Sequence, residues 1–185
     1  MSGLFLQETD ATLVVFDLRG FSRLAVSLAP LDLGLALGHF YGHAESCVLP
    51  HHGRIVKFAG DAVLVAWLAH EEPAHKRRAL DAIEAARAHK RDWLAQNSAQ
   101  GLPVLDYSIA AATGPVLAGH IGTERFRMFD VLGDPVNVAA KLTTTATARG
   151  LDHVLAFQDG THPTLELESL EIGGKLVRLF RLDQS

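Results

Sequence analysis

The chain has 185 residues, 48% of them hydrophobic. This length and composition predict one packed domain over residues 1–185, with a core at about residues 11–182, and the chain is too short for two ordinary domains. The formal net charge of −4 gives no overall attraction to nucleic acid or to an anionic membrane surface. Because there is one cysteine, no signal-like start and no run of about 18 apolar residues, we expect a cytoplasmic protein with no disulfide and no membrane or nucleic-acid partner.

In the first half of the chain, short apolar and β-branched runs predict strands, and longer amphipathic segments predict helices. The pair Gly60-Asp61 separates two β-type runs and is typical of a tight hairpin turn. In the last helix of this half, the basic pair Lys90-Arg91 lies among acidic residues, which favours an ordinary solvated face. The predicted elements are a strand at Thr12–Leu18, a helix from Gly20, a helix at Leu31–Leu49, strands at Arg54–Ala59 and Ala62–Leu68, and a helix at Pro73–Gln96.

The second half predicts more strands than helices. The segment Thr113-Gly114-Pro115 predicts a second hairpin turn. Asp134 and Pro135 are typical of a helix start, with aspartate as the cap and proline in the first helical position. The predicted elements are strands at Leu105–Ala112, Val116–His120 and Phe126–Leu132, a helix from Asp134, and strands at His153–Phe157, Leu165–Ile172 and Leu176–Leu182. Together these elements predict an α+β fold with helices packed on a mostly antiparallel sheet.

Two aspartates lie where predicted β-elements end. Asp17 follows an apolar strand, and Asp61 is displayed by the first predicted hairpin turn. A lone aspartate after a strand is usually a helix cap or a solvated loop residue, but two carboxylates at neighbouring strand ends can converge on one divalent ion. Their hard oxygen atoms suit Mg²⁺ or Mn²⁺, so the pair predicts phosphate chemistry.

Four segments of the chain form a set of motifs in a fixed order. They are Phe16-Asp17-Leu18-Arg19-Gly20-Phe21-Ser22, Val56-Lys57-Phe58-Ala59-Gly60-Asp61, Gly119-His120-Ile121-Gly122, and Asp130 to Lys141. Together they resemble the catalytic domain of the class III adenylyl and guanylyl cyclases. The resemblance implies a ferredoxin-like, palm-like α+β sandwich and a head-to-tail homodimer. It also implies that a nucleoside triphosphate is converted into its 3′,5′-cyclic monophosphate and pyrophosphate, with two Mg²⁺ or Mn²⁺ ions per site.

The resemblance also assigns the metal and phosphate ligands. Asp17 and Asp61 match the two metal carboxylates of the family, and the carbonyl of Leu18 is a further ligand. Near the end of the chain the family often has Lys-Gly before the last strand, whereas this chain has Gly173-Gly174-Lys175, so the triphosphate lysine is open. The phosphate-binding candidates are the backbone N–H groups of Arg19, Gly20 and Phe21, at a helix start, and the side chain of Lys175.

Lys57 and Asp130 match the base-reading positions of the family. Adenine has an acceptor at N1 and an amine donor at C6, so a lysine and a carboxylate can read it, whereas guanine needs an acceptor in place of the lysine. The pair therefore predicts ATP as the substrate. The alternative is that Asp130 merely pairs with Arg125 or Arg127.

Asn137 matches the residue that orients the ribose, and Lys141 follows one helical turn later. The family usually has arginine at the second position; lysine keeps the charge but lacks the planar fork, so we expect weak to moderate turnover. The implied sites are shared, with the metal carboxylates from one protomer and the base, ribose and transition-state residues from the other.

Two other functions compete with an adenylate cyclase. One is an impaired, cyclase-like domain that binds nucleotide or a partner, and it is motivated by Lys141. The other is a diguanylate cyclase, which is disfavoured because its Gly-Gly-Asp/Glu-Glu-Phe turn is replaced by Ala59-Gly60-Asp61-Ala62-Val63. No sensor segment is evident, so control by a separate regulatory protein stays open.

Overall fold

A long antiparallel pair of strands lies at the centre of the fold. In the computed structural model, which describes residues 6–99, 101, 103 and 105–183, strand β1 pairs with strand β4 from Leu6 opposite Gly119 to Leu18 opposite Tyr107. The elements are β1 (Leu6–Leu18), α1 (Phe21–Ser27), α2 (Pro30–Val48), β2 (Arg54–Ala59), β3 (Ala62–Leu68), α3 (His75–Ala99), β4 (Tyr107–Gly122), β5 (Arg127–Leu132), α4 (Asp134–Ala148), β6 (His153–Leu155), β7 (Thr164–Ile172) and β8 (Lys175–Leu182).

The eight strands form one sheet in the order β2-β3-β1-β4-β6-β8-β7, with β5 also paired to β4. The β4–β6 pair is parallel, and the other strand pairs are antiparallel. This architecture confirms the predicted α+β fold with helices on a mostly antiparallel sheet. Within the described residues, no helix has the combination of length and apolar character needed to cross a membrane.

Strand β1 is buried on both faces because its side chains alternate between two cores. Val14 and Phe16 pack towards α2 and α3, whereas Leu13 and Val15 pack towards α4. Each such side chain contributes about 1.5–3 kcal/mol by leaving water. The same alternation places Asp17, the next odd-numbered residue, on the α4 face of the sheet.

The predicted hairpin at Thr113-Gly114-Pro115 is wrong, because β4 continues through it. Strand β1 begins at Leu6, earlier than predicted, and so provides partners for Gly114 (Ala11) and Pro115 (Asp10). Proline is tolerated here since it lies between the stretches of β4 that pair with β6 and with β5. The extent of the partner strand, a long-range feature, therefore overrides the local turn signal.

The start of α4 also differs from the prediction. Its N-cap is Gly133, without a side-chain cap, and Asp134 is already helical with Pro135 beside it. A side chain at position 133 would be obstructed, since a Cβ there would lie 2.9 Å from the carbonyl oxygen of Pro115. The Asp134 carboxylate instead accepts a hydrogen bond from Lys175 at 2.7 Å.

Candidate active site

The ends of two neighbouring strands bring Asp17 and Asp61 together. In the β1–β3 pair Asp17 lies opposite Ala62, the residue next to Asp61. The N–H of Leu18 donates to the carbonyl of Asp61 at 3.0 Å, which ties the end of β1 to the turn between β2 and β3. The two aspartates predicted from the sequence are therefore adjacent in one chain.

Helix α2 holds the turn that carries Asp61. Gly60 has a φ of 62°, the left-handed conformation that glycine adopts without strain. The Tyr41 hydroxyl donates to the carbonyl of Gly60, and the Tyr41 ring stacks on Phe58 with ring centroids 4.3 Å apart. These contacts limit how far Asp61 can move relative to Asp17.

The electrostatics of this pair favour a cation. Burial, and after it the negative charge of Asp61, raise the pKa of Asp17 to about 6 against the opposing effect of the Thr143 hydroxyl. A carboxylate that is costly to ionise beside a second carboxylate gains from a nearby positive charge. In an apo protein at neutral pH, the repulsion within the pair is an unfavourable term that a divalent ion would remove.

The donor set fits Mg²⁺ or Mn²⁺ when completed by substrate. It offers two carboxylates and the Leu18 carbonyl, all hard oxygen donors. Among the described residues there is no cluster of three or more His, Cys, Asp and Glu side chains that could hold a metal ion alone. Magnesium is usually bound in this way, by one or two carboxylates with phosphate and water oxygens supplying the rest.

Of the three backbone N–H groups predicted to bind phosphate, the N–H of Arg19 already has a partner within the protein. The N–H of Arg19 donates to the carbonyl of Asp106 at 2.8 Å, although the sequence grouped Arg19 with the phosphate-binding residues. Gly20, with a φ of 70°, is the N-cap of α1, and Phe21 is its first residue. The N–H groups of Gly20 and Phe21 thus remain as candidates for phosphate contacts.

Lys57 and Asp130 contact each other across 73 residues of sequence. The Lys57 Nζ donates to Asp130 Oδ2 at 2.7 Å, and the two side chains are 35% and 17% exposed. Asp130 Oδ1 accepts from the N–H of Val131 at 2.8 Å. Asp130 therefore pairs with the predicted base-reading lysine rather than with Arg125 or Arg127.

Asn137 and Lys141 share one side of helix α4. Both are exposed on α4, one turn from each other, while the buried side of that helix, including Val138 and Leu142, packs on the sheet. In the described part of the chain no hydrogen bond joins either residue to Asp17 or Asp61. The exposed side of α4 thus carries the ribose and transition-state candidates.

Lys175 is brought to the beginning of α4. It follows the Gly173-Gly174 turn between β7 and β8, where both glycines have positive φ, 60° and 77°. Its ion pair with Asp134 is exposed, at 69% and 54% of the two side chains, so it contributes little to stability. Asp134 precedes Asn137 by three residues on α4, so Lys175 lies next to the turn of helix that carries Asn137.

A buried ionic network behind the Leu18–Arg19 segment was missed. Lys90, expected on a solvated helix face, is only 8% exposed, and its Nζ lies 2.6 Å from both Asp106 and Asp152. The buried residues of α3 recur every three or four positions, and Lys90 falls on this stripe with Ile83, Ala86 and Trp93. This periodicity could have predicted from the sequence that Lys90 points inward.

Comparison with known protein families identifies the class of this domain. The chain matches the adenylate and guanylate cyclase catalytic domain family over residues 6–159, and it belongs to that family. A protein of Mycobacterium bovis named adenylate cyclase is 33% identical over 141 residues, which are 74% of this chain and 30% of that protein. An uncharacterised protein of the same organism is 34% identical over 145 residues, 77% of this chain and 25% of that protein. The chain thus spans less than a third of these relatives.

Two solved structures have the same fold. The adenylyl cyclase CyaB from P. aeruginosa superposes with a TM-score of 0.84 at 22% identity, covering 98% of this chain and 97% of that one. The guanylyl cyclase Cya2 superposes with a TM-score of 0.79 at 23% identity, covering 95% and 92%. Because an adenylyl cyclase and a guanylyl cyclase both superpose this well, the fold does not distinguish adenine from guanine as the base of the substrate.

Proposed function

We propose that this domain is an adenylate cyclase that converts ATP into 3′,5′-cyclic AMP and pyrophosphate. The observation that carries the proposal is the adjacency of Asp17 and Asp61, tied by the 3.0 Å hydrogen bond from Leu18 to Asp61. Two carboxylates at this position, with the pKa of Asp17 raised by burial, are suited to metal-assisted phosphate chemistry.

The reaction forms one bond to the α-phosphorus and breaks another. The ribose 3′-hydroxyl releases its proton to water and its oxygen bonds to the α-phosphorus, while the bond from that phosphorus to the bridging oxygen breaks, so that pyrophosphate leaves. Asp17, Asp61 and the Leu18 carbonyl would hold two Mg²⁺ or Mn²⁺ ions, which lower the pKa of the hydroxyl and neutralise phosphate charge when bound. The N–H groups of Gly20 and Phe21 would donate to phosphate oxygens.

Lys57 and Asp130 would select the base. The lysine ammonium donates to N1 of adenine, and the carboxylate accepts from the C6 amine. Guanine carries hydrogen on N1, so the lysine would face a donor with a donor. The 2.7 Å contact between the two side chains supports the assignment because it places a donor and an acceptor side by side.

The complete site would require two copies of the chain in a head-to-tail homodimer. Asn137 and Lys141 are exposed and make no hydrogen bond to Asp17 or Asp61 within the described residues, which is expected if they serve the partner's metal pair. Lys175 would leave its ion pair with Asp134 and bind the triphosphate in the same site as Asn137 and Lys141. A two-fold arrangement of this kind gives two equal sites. The cytoplasmic location and control by a separate protein remain predictions.

The test is a turnover assay with ATP and GTP in the presence of Mn²⁺ or Mg²⁺, with cyclic nucleotide and pyrophosphate both quantified. We expect cyclic AMP and an equal amount of pyrophosphate, with activity per protein rising with protein concentration. A preference for GTP would refute the base assignment. Binding of ATP without any product would favour the second candidate, an impaired nucleotide-binding domain, which the lysine at position 141 motivates.

A further inference from the structure

A buried lysine behind the candidate site holds two carboxylates and a carbonyl. The Lys90 Nζ donates to the Tyr107 carbonyl at 2.8 Å, and Oδ1 of Asp106 and of Asp152 both lie 2.6 Å from it. Burial alone would raise the pKa of Asp152, but the hydrogen bond and the charge of Lys90 outweigh burial, so its pKa is lowered. The Lys90 Nζ therefore has three oxygen atoms around it: the Tyr107 carbonyl and Asp152 accept hydrogen bonds, and Asp106 forms an ion pair.

Of the two carboxylates, only Asp106 reaches the candidate active site. Its Oδ1 also accepts from the N–H of Tyr107 at 2.8 Å, while its Oδ2 accepts from the Arg19 guanidinium at 2.8 Å. The same guanidinium donates to the carbonyl of Leu151. Asp106 therefore links the buried Lys90 to the residue that directly follows Leu18.

The backbone adds a second link to the same residue. The Arg19 N–H donates to the Asp106 carbonyl at 2.8 Å, so Asp106 binds Arg19 through its main chain and its side chain. Because C=O and N–H of a trans peptide point in opposite directions, an Arg19 N–H directed at Asp106 turns the Leu18 carbonyl away from β4. In this sheet β1 lies between β4 and β3, so that carbonyl faces the side of Asp61.

We propose that Asp106, held by Lys90, is a positioning residue that fixes the Leu18–Arg19 peptide and so aims the Leu18 carbonyl at the metal carboxylates. This inference rests on the proposed function of Asp17, Asp61 and Leu18 as metal ligands. Outer-shell groups that orient ligands typically affect metal affinity by about 10- to 100-fold. Asp106 touches no substrate and acts through Arg19 and Leu18.

Asp152 provides a matched control. It presents one carboxylate oxygen to Lys90 at the same 2.6 Å but has no hydrogen bond to Arg19 in the described part of the chain. Asp106→Asn and Asp152→Asn therefore each remove one negative charge beside the same lysine. Only the first also weakens a hydrogen bond to Arg19, since Asp152 interacts with Arg19 through charge alone. A role limited to stabilising Lys90 would make the two variants alike.

The experiment measures Mn²⁺ binding directly, by the electron paramagnetic resonance signal of free Mn²⁺, with 3′-deoxy-ATP present so that no turnover occurs. We expect Asp106→Asn to weaken Mn²⁺ affinity about tenfold and Asp152→Asn to leave it within about twofold of wild type. Cyclic AMP formation by Asp106→Asn should recover as Mn²⁺ is raised, a rescue that a merely structural defect would not give. Arg19→Lys, which leaves Lys90 untouched, should show the same loss and rescue, and it replaces Asp106→Asn if that variant does not fold.

Equal Mn²⁺ affinities for the two aspartate variants, or an Asp106→Asn defect that excess Mn²⁺ does not relieve, would overturn the inference. The proposed function fails separately. If wild type makes no cyclic AMP yet the Mn²⁺ affinities differ as expected, the catalytic proposal is wrong and the positioning role stands.

Discussion

The Nζ of Lys57 donates a hydrogen bond to Oδ2 of Asp130 at 2.7 Å, joining strand β2 to strand β5. Neither strand pairs with the other in the sheet, so this contact is made by side chains alone. The contact places a hydrogen-bond donor, the Lys57 ammonium, next to an acceptor, the Asp130 carboxylate.

Removing the lysine of this pair should change base selection. Lys57→Glu replaces the donor to adenine N1 with an acceptor, so the ratio of kcat/KM for ATP to that for GTP should fall by about 10²-fold or more. Competition assays with both nucleotides measure that ratio. Arg178→Glu is the matched control because it reverses the charge of the exposed Arg178–Glu166 pair, and it should leave the ratio unchanged.

Mixing two inactive variants should restore activity if the sites are shared. Asp17→Asn removes a metal carboxylate and Asn137→Ala removes the ribose contact, and each protein should be inactive alone. Random exchange makes about half of the dimers mixed, each with one intact site of two, so about a quarter of wild-type activity should return. No recovery in mixed dimers, isolated through a different affinity tag on each variant, would contradict shared sites.

Restoring the usual arginine of the family should raise the rate. Lys141→Arg supplies a planar fork of donors for phosphate oxygens, and we expect kcat to increase about tenfold with little change in KM. Lys141→Met, which removes the charge, should lower kcat by about 10²- to 10³-fold. Steady-state kinetics at saturating Mn²⁺ separate these effects. An unchanged kcat in Lys141→Arg would mean that lysine already serves the transition state fully.

Acid should destabilise the fold through buried histidines. Burial lowers the pKa of His43 to about 4, with the charges of His89 and Lys90 adding to the effect, whereas an unfolded chain has a histidine pKa near 6.5. The unfolded state therefore binds this proton first, and the stability that neutral His43 confers is complete above about pH 6.5 and is lost as pH falls to about 4. That loss is about 3 kcal/mol.

Urea unfolding between pH 4 and 7 checks this linkage. The slope of the unfolding free energy against pH is proportional to the number of protons that the chain takes up when it unfolds. In His43→Gln this number should be smaller by about one across that window. The slope is the informative quantity, since the substitution also removes the 2.8 Å contact with the Tyr107 hydroxyl and the stacking on Trp93 at every pH. An identical slope in wild type and variant would contradict the assignment.

Much of the fold could be predicted from the sequence because its signals are local. The β-type runs around Gly60-Asp61 predicted the hairpin, and the spacing of apolar residues predicted the helices. The false hairpin at Thr113-Gly114-Pro115 arose because the long strand β1 pairs with β4 on both sides of these turn residues and keeps the segment extended. No local pattern reports how far a distant partner strand extends.

The candidate site divides in the same way. The positions of Asp17, Asp61, Lys57 and Asp130 followed from motifs, and the structure brings each pair together. Lys90 lies on the buried stripe of α3, although its charge and its acidic neighbours favour a solvated position. The Arg19 N–H donates to the carbonyl of Asp106 and is therefore not free for phosphate. Asp106 is 87 residues away in sequence, and no spacing rule predicts that contact.

The most direct test of the central claim is the rate of cyclic AMP formation from ATP as a function of Mn²⁺ concentration, for wild type, Asp17→Asn and Asp61→Asn, with Asp152→Asn as a charge-matched control. We predict metal-dependent turnover in wild type and in the control. Each of the other two variants should lose about 10²-fold or more at every Mn²⁺ concentration. Turnover that is independent of divalent ions, or that survives removal of both Asp17 and Asp61, would contradict the claim that these two carboxylates hold the ions for catalysis.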